Sequence, residues 1–418
     1  MHPPRLPLTH PPAGIEKPEA ATPAAPDQGA HPPRPGTGPG SSFLTSRTLA
    51  AALGVAALVT VLCLAYVKWW PYYHRLLSVA ATRQFGAPEA AVQQYFLARG
   101  VEAAWAFTAR YFDAVWQATV VGILAGGAVE ALVPPDWVRR WLAGRGVRPA
   151  LLAGLSALPG MMCSCCAAPV AVGLRRRQAS AAAALAFWMG NPVLNPATLA
   201  VLWIVLGWKL GLIRLVFGLV LVLGVSYALG RFFPDEPAPA GQAALAVTGP
   251  APGVPPGDGG QATGAPGREE TGARGTVGGT AAWLLRWLKA SGRLAVWLVP
   301  EYALVVFLTG LLSGFLWPGG LDHLVAGPAG SSLALVLAAV GGTLMVIPTM
   351  AEIPIVQGLM ALGLPTGAAA ALLVALPAVS LPSLIMVSRA FPRRMLVALA
   401  LAVMAVSAMA GVVAALLV

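Results

Sequence analysis

The strongest constraint on this chain is a series of apolar runs that are long enough to cross a lipid bilayer. One covers about residues 49–67 and another about residues 112–133, and a helix needs about 20 apolar residues to cross the hydrocarbon core. Only 10% of the residues are charged, against about 25% in soluble domains. A soluble α/β protein is disfavoured, because its apolar segments would stop at strand or core-helix length. We therefore expect an all-α, multi-pass protein of the plasma membrane, with the lipid bilayer as a partner.

Two segments differ from these runs in composition and are predicted to lie outside the helical bundle. Residues 1–45 and 233–280 are rich in Pro, Gly and Ala, which is typical of a disordered tail and of a low-complexity loop. Between the tail and the repeats, residues 46–111 are predicted to hold one transmembrane helix and an amphipathic interfacial segment. The helix is expected to end at residues 68–73, since Trp and Tyr collect at membrane boundaries. The interfacial segment is expected over residues 88–110.

The rest of the sequence contains an internal repeat. At one constant offset, two prolines and a glycine of residues 112–232 fall on the same residue types within residues 281–418. The matching pairs are Pro169 with Pro354, Gly173 with Gly358, and Pro192 with Pro377. Such self-similarity predicts two copies of one structural unit.

The loop charges predict that the two repeats are inverted relative to each other. Residues 139–148 are strongly basic, whereas their counterparts at 319–330 contain no Lys or Arg. The three arginines at 175–177 likewise correspond to uncharged residues at 360–362. Because Lys and Arg concentrate in cytoplasmic loops, we interpret these arginines as topology determinants and expect equivalent loops on opposite sides. Many secondary transporters place their substrate site between such inverted-topology repeats.

The chain between Arg148 and Arg175 is too short to cross the membrane twice, which would take about 40 residues. Both arginines are expected on the cytoplasmic side. The segment is therefore predicted to enter the membrane, turn at residues 159–167 and return as a re-entrant, broken-helix hairpin. The second repeat is predicted to insert its own hairpin from outside, with its tip at residues 346–354. The Pro-broken spans that follow the hairpins are predicted at residues 178–208 and 366–388.

Three cysteines at the first hairpin tip are the strongest candidates for chemistry. Cys163, Cys165 and Cys166 are soft sulfur donors, which suit copper(I), zinc, or trivalent arsenic and antimony. Their spacing matches neither a structural zinc site, which needs two separated ligand pairs, nor a secreted disulfide framework. As an alternative, they are small apolar residues that fill space. Their clustering at a helix break favours a binding site for a soft metalloid.

The second hairpin tip offers a carboxylate instead of thiols. Glu352 is expected deep in the membrane, where an ionisable group indicates function, and it is a candidate for substrate binding and proton coupling. The alternative is a solvated position near the external surface. Asn191, Asn195 and Ser380 lie at the breaks of the crossing helices. There they either line the substrate path or cap the interrupted helices.

Several functions are disfavoured by what the sequence lacks. It has no Walker A phosphate loop and no Ser/His/Asp or Cys/His nucleophile arrangement, so we expect neither ATP-driven transport nor an enzyme, and no cofactor. The net charge of +11 comes from the tail and from the ends of apolar runs, where basic residues orient helices and meet anionic lipid. Nucleic acid is therefore not an expected partner. The oligomeric state is left open.

The residues around the first hairpin resemble a known family, the predicted permeases that include the ArsP-type organoarsenical exporters. The matching residues are Cys163, Ser164, Cys165, Pro169, Asn191-Pro192 and Asn195-Pro196. The resemblance covers about residues 112–232 and 294–418. It implies an inner-membrane permease, and in characterised members the motif cysteines, here Cys163 and Cys165, bind the exported trivalent organoarsenical. Cys166 stands where the family pattern C-S-C-G-x-x-P has Gly, which either adds a third sulfur or is incidental.

Together these features predict a permease that exports a soft, thiol-reactive solute, such as a trivalent (organo)arsenical, by alternating access. Two other functions stay open. One is a permease for another solute, such as a divalent or copper-type metal or a sulfur oxyanion, in which the cysteines are structural or redox-active. The other is a membrane thiol oxidoreductase, which predicts reversible cysteine oxidation without solute flux.

Overall fold

Helices form all of the regular structure in the described residues of this computed structural model, which are 46–88, 100–144, 146–233, 277–316 and 327–418. Six of these described helical segments are long and apolar enough to cross a membrane. They are Ala50–Thr82, Val101–Leu132, Trp208–Phe232, Trp283–Leu311, Thr366–Val387 and Arg393–Leu417. The prediction of an all-α, multi-pass membrane protein is therefore confirmed. The predicted tail at 1–45 and most of the predicted loop at 233–280 lie outside the described residues.

The first transmembrane helix is longer than expected. It consists of α1, Ser46–Leu64, a π-helical turn, Ala65–Trp69, and α2, Trp70–Thr82. The predicted helix end at residues 68–73 is wrong, because the helix continues through them. Pro71 lies at the start of α2, and the wider π turn accommodates a residue that has no N–H to donate. Lys68 therefore lies within one continuous helix, and its side chain is buried.

Helix α3 spans Val101–Leu132 without interruption. From Val101 onward, the prediction of a separate interfacial segment at 88–110 is therefore wrong. The side chains of Phe107 and Tyr111 are buried in the main apolar core, so this part of the chain packs inside the bundle instead of lying on the membrane surface. The short helix α4, Pro135–Leu142, follows.

The cysteine segment forms a hairpin of two short helices. Helix α5, Val147–Ala157, ends in a 3₁₀ turn, Leu158–Gly160, and helix α6, Ser164–Arg176, runs back. The N–H of Ser180, after the hairpin, donates to the carbonyl of Leu142, before it, at 2.8 Å. Both ends of the hairpin therefore lie on the same side. Its arms have 11 and 13 residues, well short of the roughly 20 that a crossing needs.

A broken span and a closing span complete the first half. The broken span consists of α7, Ala181–Val193, and α8, Pro196–Val205, and the closing span of α9, Trp208–Leu219, a π-helical turn, Val220–Val225, and α10, Ser226–Phe232. The break between α7 and α8 lies inside the span predicted at 178–208, next to Pro196. Because Pro cannot donate to the helical ladder, the chain leaves the helix before it and starts a new one.

The second half repeats this order of elements. Its helices are α11, Val277–Leu316, α12, Gly327–Leu344, α13, Glu352–Ala361, α14, Thr366–Ala378, α15, Leu381–Val387, and α16, Arg393–Leu417. A long helix, a helix pair interrupted at residues 345–351, a span interrupted at residues 379–380 and a closing helix follow one another, as in the first half.

The long helices of the two halves, α3 and α11, pack against each other in opposite directions. Glu130, near the end of α3, pairs with Arg293, in the first half of α11. Earlier in α3, the Tyr111 hydroxyl accepts a hydrogen bond at 2.7 Å from Tyr302, further along α11. The later residue of α3 contacts the earlier residue of α11, and the earlier residue of α3 contacts the later one, so the two helices are antiparallel.

Candidate functional site

The two cysteines that the structure brings together are Cys163 and Cys166. Cys163 is the N-cap of α6, and its Sγ accepts a hydrogen bond from the main-chain N–H of Cys166 at 3.4 Å. The two sulfur atoms are 2.8 Å apart, with the Cys163 thiol as donor. An N-cap and the third helical residue lie on one side of a helix, so the two form a dithiol at the hairpin break. The resemblance had implied the pair Cys163 and Cys165.

Cys165 faces a different part of the bundle. Its sulfur lies 3.6 Å from the Ser380 hydroxyl, and the hydroxyls of Tyr111 and Tyr302 also interact with it. Within the residues that the structure describes, no three Cys, His, Asp or Glu side chains are arranged to hold a metal ion. Cys163 and Cys166 are therefore the two sulfurs in contact at the break, whereas Cys165 contacts hydroxyl groups.

The dithiol is buried because α3 comes very close to α6. A Cβ atom on Gly122 would lie 2.2 Å from the carbonyl oxygen of Cys166, so only glycine lets the two helices approach here. The hydroxyl of Thr119, also on α3, lies 3.9 Å from Cys166 Sγ. Cys163 is 4% exposed and Cys166 0%, so the helices shield both thiols.

A buried lysine accompanies the dithiol. Lys68 is 8% exposed, and its ammonium group interacts electrostatically with Cys163 and Cys166. The neighbouring Trp69 donates from Nε1 to the carbonyl of Pro159 at 2.8 Å, which ties the π turn to the hairpin break. Sequence reasoning missed Lys68 because the aromatic residues after it suggested a membrane boundary.

The break between α12 and α13, at residues 345–351, is followed by a buried ion pair and is here called the second hairpin break, after the prediction. Glu352, the first residue of α13, accepts a hydrogen bond from Arg214 Nη1 at 2.9 Å, and the side chains are 2% and 0% exposed. Arg214 also donates from Nη2 to the carbonyl of Pro192 at 3.2 Å. Glu352 is therefore buried in protein, and the alternative of a solvated position is wrong. Arg214 was missed, although a single arginine inside an apolar run is a signal of function.

A narrow cavity lies between the two hairpin breaks. It is lined by Cys163, Ser164, Pro192, Ile347, Pro348, Thr349, Glu352, Leu376 and Pro377. Its volume is about 10 Å³, which holds roughly one water molecule. Cys163 of the dithiol and Glu352 thus line the same small space from different helix breaks. A larger solute can enter only if the helices move.

The two predicted asparagines have different roles. Asn195 Oδ1 accepts a hydrogen bond from the N–H of Ala197 at 3.1 Å. Asn195 therefore caps α8, which is the second of the two roles considered from the sequence. Asn191 Nδ2 donates to the carbonyl of Phe187 at 2.9 Å. Its Oδ1 is buried and has no hydrogen-bond partner in the described part of the chain. This oxygen lies next to Gly160 at the first hairpin break, where a Cβ on Gly160 would be only 2.3 Å from it. Asn191 therefore presents an unused hydrogen-bond acceptor at the break.

Ser380 both caps a helix and contacts the cysteine segment. It forms a capping box with Ser383 at the start of α15. Its hydroxyl also lies 3.5 Å from the Ser164 hydroxyl and next to Cys165. Ser380 thus joins the break in the second broken span to the first hairpin, a contact between segments that are far apart in sequence.

Comparison with known proteins agrees with this architecture. A family described as predicted permease, of the ArsP type, matches residues 150–416. The chain belongs to this family. It is 42% identical over 342 residues to UPF0718 protein YraQ of Escherichia coli (strain K12), which covers 81% of this chain and 88% of the relative. UPF0718 protein MJ0584 of Methanocaldococcus jannaschii is 33% identical over 103 residues, 25% of this chain and 28% of that protein. No solved structure matches. The resemblance noted from the cysteine motif is therefore confirmed.

Proposed function

We propose that this chain is a permease that exports a soft, thiol-reactive solute, such as a trivalent organoarsenical, by alternating access. The observation that carries the proposal is the dithiol of Cys163 and Cys166, which lies at a helix break where Cys163 lines a narrow cavity. Broken helices at membrane depth are tolerated where they are buried in protein or line a cavity. Transporters use such breaks to bind their substrates.

Inverted repeats are part of the proposal. Both halves contain the same order of elements, and their equivalent long helices, α3 and α11, are antiparallel, as judged from the Glu130–Arg293 and Tyr111–Tyr302 contacts. Antiparallel equivalent helices are what an axis in the membrane plane produces. The two hairpins would then approach the cavity from opposite sides, and rocking of one half against the other would expose it alternately.

The dithiol suits a solute that exchanges two hydroxyl groups for two sulfurs. A trivalent arsenical, R–As(OH)₂, would form two As–S bonds with Cys163 and Cys166 and release two water molecules, which carry away the thiol protons. Soft thiolate ligands favour such centres over magnesium or calcium. The ammonium group of Lys68, which interacts electrostatically with both sulfurs, would stabilise the negative charge that develops on each sulfur as its proton passes to a leaving hydroxyl group.

Glu352 and Arg214 are the proposed coupling pair. Protonation of the Glu352 carboxylate would neutralise it and weaken its hydrogen bond with the buried Arg214. The second hairpin, which begins its inner helix at Glu352, would then be free to move. This pair thus supplies a route by which a proton gradient could drive export.

Transport in everted membrane vesicles tests the proposal. The double variant Cys163→Ser/Cys166→Ser should lower uptake of a trivalent methylarsenical more than tenfold. The control variant is Cys63→Ser, which changes a cysteine of α1 outside the hairpin and should leave uptake unchanged. Membrane levels of each variant are measured by immunoblot. Undiminished uptake by the double variant would refute coordination by the dithiol.

A second function is favoured by one observation. Cys163 and Cys166 have the Cys-x-x-Cys spacing at a helix N-terminus that suits thiol–disulfide exchange. A membrane thiol oxidoreductase would show a reversible Cys163–Cys166 disulfide with a redox partner and no solute flux in the same vesicles. Uptake of copper, zinc or a sulfur oxyanion without uptake of arsenicals would instead identify a permease for another solute.

A further inference from the structure

Glu130, a buried residue near the end of α3, contacts arginines at the end of α6 and in α11. Glu130 is 6% exposed, and its Oε2 accepts a hydrogen bond from Arg176 Nη1 at 2.6 Å. Its Oε1 pairs with Arg293 of α11. Its main-chain carbonyl accepts a hydrogen bond from Arg177 Nε at 2.7 Å. The three arginines thus converge where the first hairpin leaves the bundle.

Positive charge exceeds negative charge at this point. Arg286 of α11 lies close enough to Arg177 to repel it. Arg177 follows α6 and lies outside the spans. Burial lowers the pKa of its guanidinium from the usual value, and repulsion by Arg286 adds to the decrease, while attraction by Glu130 opposes it. The Glu130 carboxylate therefore lies near three guanidinium groups, and a fourth, that of Arg286, lies near Arg177.

Much of this charge remains exposed. The side chains of Arg176 and Arg293 are 38% and 43% exposed although both touch Glu130. Arg286 and Lys289 are exposed as well. Arg286, Lys289 and Arg293 are three to four residues apart, so they share one face of α11. Each guanidinium has five N–H donors in a planar fork that matches the oxygens of a phosphate group.

The surroundings place this charge at the depth of lipid headgroups. Leu284, Leu285 and Leu288, which are interleaved with the basic residues of α11, are 42%, 55% and 51% exposed. On helix α4, which follows Glu130 and the end of α3 along the chain, Trp137 and Trp141 are 56% and 41% exposed, and Trp residues collect at the membrane interface. Exposed leucines beside exposed arginines suit a ligand that has both acyl chains and a phosphate.

We propose that Arg176, Arg177, Arg286, Lys289 and Arg293, here called the basic cluster, bind the phosphate of an anionic phospholipid. The lipid would lie along the first part of α11 with its headgroup at the end of α6. Basic pockets between transmembrane helices are known to hold such headgroups. A lipid bound there would link α11 to the end of the hairpin arm that carries the cysteines. This inference does not depend on the identity of the transported solute.

Lipid titration of the purified full-length chain in detergent tests the inference. Binding of phosphatidylglycerol and phosphatidylcholine is counted by native mass spectrometry, and glycerol 3-phosphate is added as a soluble source of the same phosphate. The variant is Arg286→Gln/Lys289→Gln, because it leaves the pairs of Glu130 intact and so avoids an unpaired buried charge. The matched control is Arg393→Gln/Arg394→Gln, which removes the same charge from exposed positions at the start of α16.

We expect phosphatidylglycerol to bind in preference to phosphatidylcholine. Each basic group near an anionic lipid contributes roughly fivefold in affinity, so the Arg286/Lys289 variant should weaken phosphatidylglycerol binding about 25-fold. The control should weaken it much less. Equal weakening in both variants, or equal binding of both lipids, would overturn the inference. Competition by glycerol 3-phosphate at equal concentration would overturn the assignment to a lipid.

Discussion

The buried ion pair between Arg214 and Glu352 leads to the sharpest prediction about stability. The side chains are 0% and 2% exposed and 2.9 Å apart. Removing one partner of such a pair leaves an uncompensated buried charge, which typically costs about 3–5 kcal/mol. Replacing both partners with apolar residues of similar size is often neutral. Arg214→Met should therefore be far more harmful than Arg214→Met combined with Glu352→Leu.

The matched control is the exposed pair Arg389–Glu301, which has the same length, 2.9 Å, but side chains 43% and 30% exposed. Exposed pairs contribute at most about 1 kcal/mol. Thermal unfolding of the detergent-purified protein should show a midpoint lower by on the order of 10 °C for Arg214→Met. Arg389→Met should lower it by only about 2 °C.

The double variant should return to within a few degrees of the unmodified protein. Equal effects of Arg214→Met and Arg389→Met would show that Arg214 and Glu352 are not desolvated. A double variant that is less stable than Arg214→Met would show that Glu352 has important partners besides Arg214. Either result would refute the reasoning from burial.

Two further predictions concern the first hairpin. Gly122→Ala places a Cβ 2.2 Å from the Cys166 carbonyl oxygen, whereas the control Gly54→Ala places one where nothing lies within 4 Å. The yield of monodisperse protein in size-exclusion chromatography should therefore fall sharply only for Gly122→Ala. Equal yields of the two variants would contradict the close approach of α3 and α6. Lys68→Met should reduce uptake of the methylarsenical about tenfold because it removes the cation beside the dithiol. Lys209→Met, at an exposed lysine, should not, and a vesicle assay that finds both variants unimpaired would remove Lys68 from the site.

Much of the hairpin could be predicted from sequence because its causes are local. Pro159 and Gly160 interrupt a helix, and the short distance between Arg148 and Arg175 forbids two crossings. The end of the first helix could not be predicted, because residues 68–73 have the composition of an interface. A π turn before a proline leaves no clear signal in composition, so the continuation of the helix was visible only in the structure.

The site was predicted less completely than the hairpin. The cluster of cysteines pointed to the break, but which two sulfurs meet depends on the first residue of α6. Since Cys163 is the N-cap, Cys166 lies on its side of the helix and Cys165 does not. Arg214 and Glu352 are 138 residues apart. Only the three-dimensional packing of the two halves brings them together, so their pairing leaves no local signal in the sequence.

The π turn at Ala65–Trp69 divides the first helix into two parts with separate helical phases. Ala52 and Ala56, before the turn, pack with Trp283 and Trp287, whereas Trp69 contacts the hairpin break. A π turn holds one residue more than an α turn, and each residue rotates an α-helix by about 100°. Deleting one residue there would leave α1 in place and rotate α2 about the helix axis by about a quarter of a revolution. The lysine beside the dithiol thus owes its direction to a single inserted position.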